Sequence, residues 1–125
     1  GEDRKMNTIE MLQKHAWQVA EDKGFHVGRT ESRDDTIVRL ALVGTEVSEA
    51  IQEVKRHWLL TGPPSDESRN RFAEELADTA IRLLDLAECT GVDLQSAIIG
   101  KMEKNAGRPY LYGTAKSVNT AVNPD

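Results

Sequence analysis

The interval at which apolar residues recur is the feature that most limits the folds open to this chain. In successive segments the apolar side chains are spaced three and four residues apart, which places them on one face of an α-helix. These stripes are Ile9, Leu12, Ala16, Val19 and Ala20; then Ile37, Leu40, Val43, Val47, Ile51, Val54 and Trp58; then Phe72, Leu76, Ala80, Leu83 and Ala87; and finally Leu94, Ala97 and Ile98. No segment shows a convincing strand pattern, so the sequence predicts an all-α fold.

Capping and breaking residues indicate where the predicted helices begin and end. The four helices are expected at about residues 8–23, 36–58, 68–89 and 94–106. Their N-caps are predicted at Asn7, at Asp34 or Asp35, and at Asp93. Gly24 and Gly91 follow the first and third helices, where a glycine commonly ends a helix.

Short connections between these helices favour a bundle. Because only about nine residues join the second and third helices, the two are expected to be antiparallel neighbours. A chain of 125 residues is most simply one domain, residues 1–125, with flexible ends at about residues 1–6 and 114–125. The predicted architecture is a four-helix bundle-type protomer.

Composition excludes some classes of function. The net charge is −5, which argues against a surface that binds nucleic-acid polymers but leaves room for a small basic pocket. No apolar run approaches the ~20 residues of a membrane-spanning helix, so no membrane association is expected. The single cysteine, Cys89, has no intrachain partner, which predicts a reducing, cytoplasmic location.

Two acidic motifs are the main candidates for a site. Glu46 and Glu49 in the second helix, and Glu75 and Asp78 in the third, are each three residues apart and therefore project from one face. Measured from the connecting turn at ~1.5 Å per residue, the two pairs overlap in height. Four oxygen donors favour Mg²⁺, with Mn²⁺ as a substitute, over zinc. The alternative is a solvated acidic face, in which Arg82 pairs with Asp78.

The fourth helix carries groups suited to phosphate. Lys101, Asn105 and Arg108 would share one stripe if the helix continued past Asn105. Lysine offers a point charge, arginine a planar fork, and asparagine a donor amide. The alternative is that these are ordinary polar residues that the negative end of the helix dipole favours.

Together these motifs resemble those of the MazG-like all-α nucleoside triphosphate pyrophosphohydrolases. The resemblance covers roughly residues 25–113 and rests on Glu46-x-x-Glu49, on Glu75-x-x-Asp78 and on the segment Lys101-x-x-x-Asn105-x-x-Arg108-Pro109-Tyr110. It implies Mg²⁺-dependent hydrolysis of a (deoxy)nucleoside triphosphate to monophosphate and pyrophosphate, and a house-cleaning role in the nucleotide pool. It also implies a homodimer or homotetramer, which agrees with the apolar surface that a thin protomer would leave uncovered.

The resemblance implies roles for individual residues. It makes Glu46, Glu49, Glu75 and Asp78 the metal ligands. One of these carboxylates, or a water that they hold, would serve as the catalytic base, and Glu49 is the preferred candidate. It makes Lys101, Asn105 and Arg108 the phosphate-binding residues. Weaker candidates for contacts to the substrate are His26, Trp17, Trp58, Tyr110 and Tyr112; packing is the alternative for each tryptophan, and a surface loop for His26. His15 and Cys89 are interpreted as structural residues.

Two other functions stay open at this point. One is phosphoribosyl-ATP pyrophosphohydrolase, an activity of a related all-α family. The other is a non-catalytic helical interaction module, whose acidic stripe serves only to solvate it. Release of pyrophosphate from a nucleoside triphosphate would separate an enzyme from such a module.

Overall fold

The protein is all-helical over the residues that the structure, a computed structural model, describes, which are residues 8–109. Within this range there are four α-helices and no strand: α1 (Ile9–Asp22), α2 (Arg33–His57), α3 (Asp66–Cys89) and α4 (Leu94–Ala106). The predicted all-α class is therefore confirmed. The predicted flexible ends, residues 1–6 and 114–125, lie outside the described range. No helix within that range is long and apolar enough to cross a bilayer.

Hydroxyl side chains cap the first three helices, which corrects two of the predicted caps. The side-chain oxygen of Thr8, rather than Asn7, accepts the backbone N–H of Met11 at 3.1 Å. In α2 the cap is Ser32, whose Oγ accepts the N–H of Asp35 at 3.1 Å. The two aspartates predicted as caps lie instead in the first turn of α2, where their charge complements the helix dipole.

The glycine stops of α1 and α3 form as the sequence predicts. Gly24 and Gly91 adopt positive φ angles of 82° and 73°, a conformation that glycine enters without steric strain. The next residue in each case donates back to the last turn, from Phe25 to the carbonyl of Ala20 and from Val92 to that of Ala87, both at 2.9 Å. Each helix therefore ends in a Schellman-type turn.

Helix α3 is the central element, because it packs against both α1 and α2. Two ion pairs fix its direction relative to α2: Glu53 with Arg71 at 2.8 Å, and Glu46 with Arg82 at 2.7 Å. As the residue number falls along α2 it rises along α3, so the two helices are antiparallel. The turn between them is fastened by Ser68, whose Oγ donates to the carbonyl of His57 at 3.1 Å.

Among the described residues, the buried apolar side chains are all alanines, and each keeps 6–9% of its surface exposed: Ala16, Ala20, Ala50 and Ala87. The apolar stripe predicted as the core of α2 is largely exposed: Ile37, Leu40, Val47 and Ile51 each keep close to half of their surface in solvent. That prediction was wrong for the isolated chain, because α2 offers its neighbour only the narrow side that carries Ala50.

The chain divides into two compact units, with the boundary after Leu94. Helices α1 to α3 belong to the first unit, and α4 runs from the boundary into the second. Helix α4 ends at Ala106, so Lys101 and Asn105 lie on it and Arg108 lies beyond its end.

Candidate metal centre and adjoining cleft

Carboxylates from α2 and α3 meet in one cluster. Glu46, Glu75 and Asp78 each offer an oxygen, and these three oxygens lie within 4.8 Å of one another. The i, i+3 spacing puts Glu75 and Asp78 on the same side of α3, and the antiparallel packing brings Glu46 opposite them. We call these three residues the acidic trio.

Within the trio, Glu75 carries the clearest sign of a missing partner. Its Oε1 is buried, and no described residue donates a hydrogen bond to it. Burial raises the pKa of Glu75 first, and the neighbouring carboxylates raise that pKa further, Glu49 more than Asp78 or Glu46. A buried acceptor among like charges is unfavourable unless a cation neutralises it.

Glu49 stands beside the trio rather than in it. It is solvent-exposed, and it is absent from the group of oxygens that lie within 4.8 Å. Its charge nonetheless acts on Glu75 more strongly than that of any other carboxylate. The structure therefore brings together three of the four predicted ligands and leaves the fourth close by.

Arginines occupy the two ends of this acidic stripe. Arg71 donates from Nε to Glu53 at 2.8 Å, and this hydrogen bond raises the pKa of Arg71. Arg82 donates from Nε to Oε2 of Glu46 at 2.7 Å. The spacing on α3 predicts Asp78 as a partner of Arg82. In the structure the partner is Glu46, because the guanidinium extends towards α2 and not along its own helix.

The donor set suits a hard divalent cation. All three trio ligands are carboxylates, and oxygen donors are what Mg²⁺ and Mn²⁺ prefer. The partnerless Oε1 of Glu75 is an acceptor that such an ion would satisfy. Arg82 already balances part of the charge on Glu46, so among residues 8–109 the ion would meet one carboxylate with an arginine partner and two without one.

An apolar cleft of about 480 Å³ adjoins the trio. Its walls are mostly aliphatic and come from α1, the residue after α1's glycine stop, and α3; they include Leu12, Val19, Phe25, Ile81 and Leu84. Glu46 and Asp78 also line it, so the cleft opens directly onto the carboxylates. Cavities of this size and lining commonly accept small organic ligands, whose polar ends meet a few placed polar groups.

The predicted substrate-contacting aromatic residues lie elsewhere. His26 has carboxylate partners at both ring nitrogens, Glu21 at 2.7 Å and Asp85 at 2.9 Å. Trp17 packs on the ring of His26 at a centroid distance of 5.1 Å, and Trp58 packs edge-on against Phe72 at 5.3 Å. Of the three histidines, His15 is the one that lines the cleft.

The predicted phosphate-binding residues all belong to the second unit. Two of them lie on α4, and Arg108 lies after its end. Lys101, Asn105 and Arg108 are exposed to solvent. Lys101 and Asn105 share a helix face, being four residues apart, whereas Arg108 follows the helix end. Tyr110 and Tyr112 lie outside the described residues, so their predicted roles stay predictions.

Comparison with known proteins adds no assignment. No family model matches this chain, and no curated protein or solved structure is significantly similar to it.

Two features of the structure were not predicted from the sequence. The cleft is one, because its walls join residues of α1 to residues of α3 that lie far apart in sequence. The other is a group formed by His26, Asp85 and Cys89, whose potential ligand atoms lie within 4.8 Å of one another. The only local signal for this group was the four-residue spacing of Asp85 and Cys89 on α3.

Proposed function

We propose that this protein hydrolyses a (deoxy)nucleoside triphosphate to the monophosphate and pyrophosphate, with Mg²⁺ bound by the acidic trio. The observation that carries the proposal is that the apolar cleft and the candidate metal site share two residues: Glu46 and Asp78 line the cleft and also belong to the trio. A nucleotide has the matching polarity, since its base is flat and largely apolar in area while its triphosphate is anionic and binds Mg²⁺.

Each end of such a substrate has a place in this arrangement. The base and sugar would occupy the cleft between Val19 on α1 and Ile81 on α3, where water is displaced from aliphatic surface. The triphosphate would extend towards the trio. Bound Mg²⁺ would neutralise negative charge on the phosphates and on the pyrophosphate leaving group.

The chain's own groups would handle the proton. A water molecule attacks the α-phosphorus in line, and the bond from that phosphorus to the bridging oxygen of the pyrophosphate breaks. Glu49 would accept the proton of this water; its exposure beside the trio and the lack of an arginine partner among the described residues support this role. Phosphate binding by Lys101, Asn105 and Arg108 remains a prediction from the sequence.

A homo-oligomer belongs to this proposal. Among the described residues the only buried apolar side chains are alanines, while Ile37, Leu40 and Ile51 keep about half of their surface in solvent. Apolar surface of this extent favours association. We therefore expect a mass in solution, by light scattering, of twice or four times the 13.9 kDa of the chain.

We further propose a MazG-like bundle and a cytoplasmic location. The antiparallel packing of α2 and α3, which brings Glu46 close to Glu75 and Asp78, supports the first. The unpaired thiol of Cys89 supports the second, because reducing compartments preserve free thiols.

The test is pyrophosphate release from a panel of nucleoside triphosphates in the presence of Mg²⁺. We expect release from at least one member, and near-complete loss of turnover in Glu49→Gln and in Asp78→Asn. Glu74→Gln, a change at an exposed neighbouring position of α3, should keep full activity. No release from any member, together with no Mg²⁺-dependent rise in melting temperature, would identify a non-catalytic interaction module instead.

A further inference from the structure

A second cluster of ligand-type side chains lies where the connection after α1 meets α3. His26 comes from that connection, and Asp85 and Cys89 lie one turn apart on α3. Nε2 of His26 is 2.9 Å from Oδ1 of Asp85 and 3.5 Å from Sγ of Cys89. Sγ and Oδ1 are 3.8 Å apart. One nitrogen, one oxygen and one sulfur atom thus form a compact triangle.

We propose that His26, Asp85 and Cys89 bind a divalent ion of the Zn²⁺ class, separate from the cation of the acidic trio. Zinc in proteins is tetrahedral, with bonds of about 2.0–2.1 Å to nitrogen, 2.0–2.2 Å to oxygen and 2.3 Å to sulfur. Those bond lengths place neighbouring ligand atoms roughly 3.3–3.6 Å apart. The observed triangle has nearly this size, so three corners of the tetrahedron are already in place. The sulfur and nitrogen donors distinguish the site from the all-oxygen trio.

The surroundings of His26 already have the form of a metal-binding histidine. Its Nδ1 lies 2.7 Å from Oε1 of Glu21, which leaves Nε2 to face Asp85 and Cys89. A carboxylate on the second ring nitrogen fixes the tautomer and the ring orientation of zinc-bound histidines. The Trp17 ring packs on the imidazole at 5.1 Å and limits its rotation. The ring is also well covered, with 10% of its side chain exposed.

Space exists for a fourth ligand. A cavity of about 40 Å³ is lined by Asp85 and Cys89, by the apolar Phe25, Leu42 and Leu86, and by three arginines, Arg29, Arg39 and Arg82, whose positive charge opposes a cation. One water molecule fits a cavity of this volume. Three protein ligands and one water is a common zinc arrangement.

Charge around the thiol sets the conditions for binding. Burial raises the pKa of Cys89, and Asp85 raises that pKa further, while Arg29 and Arg39 act in the opposite direction. Metals bind the thiolate form of cysteine, so an ion must displace the thiol proton to bind the sulfur. Apparent affinity should rise with pH as a result.

The competing arrangement uses no metal at all. A protonated His26 could donate to Glu21 and Asp85 at the same time and so hold the connection against α3. Cobalt separates the two arrangements, because Co²⁺ replaces Zn²⁺ and its bond to a thiolate gives an intense near-ultraviolet charge-transfer absorption. The chain has one cysteine, so this absorption can come only from Cys89.

The experiment is a titration of the metal-free full chain with Co²⁺ at alkaline pH, followed by addition of Zn²⁺. We expect the charge-transfer band to saturate at one ion per chain and to disappear when Zn²⁺ displaces the cobalt. Zn²⁺ should also raise the melting temperature of the protein. Absence of the band, or saturation at one ion per two chains, would overturn the proposal.

Matched variants assign the band to this site. Cys89→Ser should abolish the absorption while its circular dichroism remains helical, and His26→Gln should weaken Co²⁺ binding at least tenfold, as loss of a ligand does. Glu75→Gln, a change in the acidic trio, should keep the band. A band that survives in Cys89→Ser, or that is lost in Glu75→Gln, would show that the ion binds elsewhere.

Discussion

Arg82 of α3 donates a hydrogen bond from Nε to Oε2 of Glu46 on α2, at 2.7 Å. The guanidinium stands at the edge of the acidic trio and balances part of its charge before any cation arrives. It also lines the apolar cleft, so it faces both the carboxylates and the space for a ligand. Arg82 therefore both supports the metal-free protein and opposes the binding of a second positive charge.

Replacing Arg82 with glutamine should separate those two effects. We expect a lower melting temperature in EDTA, since about 0.2–1 kcal/mol of ion pairing is lost, and a tighter Mg²⁺ affinity by up to about fivefold. Calorimetric titration with Mg²⁺ and thermal unfolding in EDTA measure the two changes. Arg69→Gln, which removes an exposed pair with Asp66 within α3, is the matched control and should leave Mg²⁺ affinity unchanged. Weaker Mg²⁺ binding in Arg82→Gln would contradict this account.

Replacing Glu75 with glutamine should stabilise the metal-free protein and abolish its response to Mg²⁺. Glutamine keeps the shape of the side chain but removes the charge of a half-buried carboxylate, one oxygen of which is covered, that lies near Glu49, Asp78 and Glu46. Melting temperatures measured in EDTA and in Mg²⁺ at neutral pH test both statements. The wild-type protein should gain stability from Mg²⁺, and the variant should not. An unchanged Mg²⁺-induced shift in the variant would show that Glu75 is no ligand.

The stability of the metal-free protein should depend on pH through Glu75. Its folded pKa is raised above its ordinary value, by burial first and by neighbouring carboxylates second. A raised carboxyl pKa means that the stabilising contribution is present below the unfolded pKa and is lost as pH rises through the folded pKa. In urea unfolding experiments with EDTA, the free energy of unfolding of Glu75→Gln should therefore increase relative to that of the wild type as the pH rises from the acid range to neutrality. A difference that stays flat or reverses would contradict the raised pKa.

Filling the cleft should impair substrate binding without affecting the metal. Val19 lines the cleft and is 42% exposed, so Val19→Trp can place an indole there without disrupting a tightly packed core. We expect a KM at least tenfold higher, an unchanged Mg²⁺ affinity and an unchanged melting temperature within a few degrees. Val38→Trp on α2, at a similarly exposed position that does not line the cleft, is the control. Equal KM values for the two variants would remove the cleft from the substrate site.

Helix ends show what local sequence can and cannot determine. Gly24 and Gly91 could be identified as stops because a positive φ depends on the residue itself. The cap of α2 could not be chosen correctly, because Ser32, Asp34 and Asp35 are all good caps and the choice depends on where the first turn forms. The acidic motifs belong to the predictable class: their spacing on each helix is local, and the rise per residue gives their height.

Contacts between residues far apart in sequence could not be predicted from the spacing of residues within one helix. The partner of Arg82 is decided by how closely α2 approaches α3, and the cleft by how α1 lies on α3. His26 and Cys89 are in contact although they are 63 positions apart in sequence, and no spacing pattern predicts that contact. The exposure of Ile51 has the same origin, since an apolar stripe shows which face a helix would bury and not whether a neighbour covers it.

Ala50 is buried on the side of α2 whose Glu46 and Glu53 pair with arginines of α3, and its small size limits how far apart the two helices lie. It follows Glu46 by one helical turn, and its single methyl group lets the two backbones approach closely. A bulkier residue there would act as a wedge, pushing Glu46 away from Glu75 and enlarging the opening between their oxygens. In the proposed Mg²⁺ site, the preference for small Mg²⁺ over larger Ca²⁺ would therefore depend on the size of a side chain that is not itself a ligand.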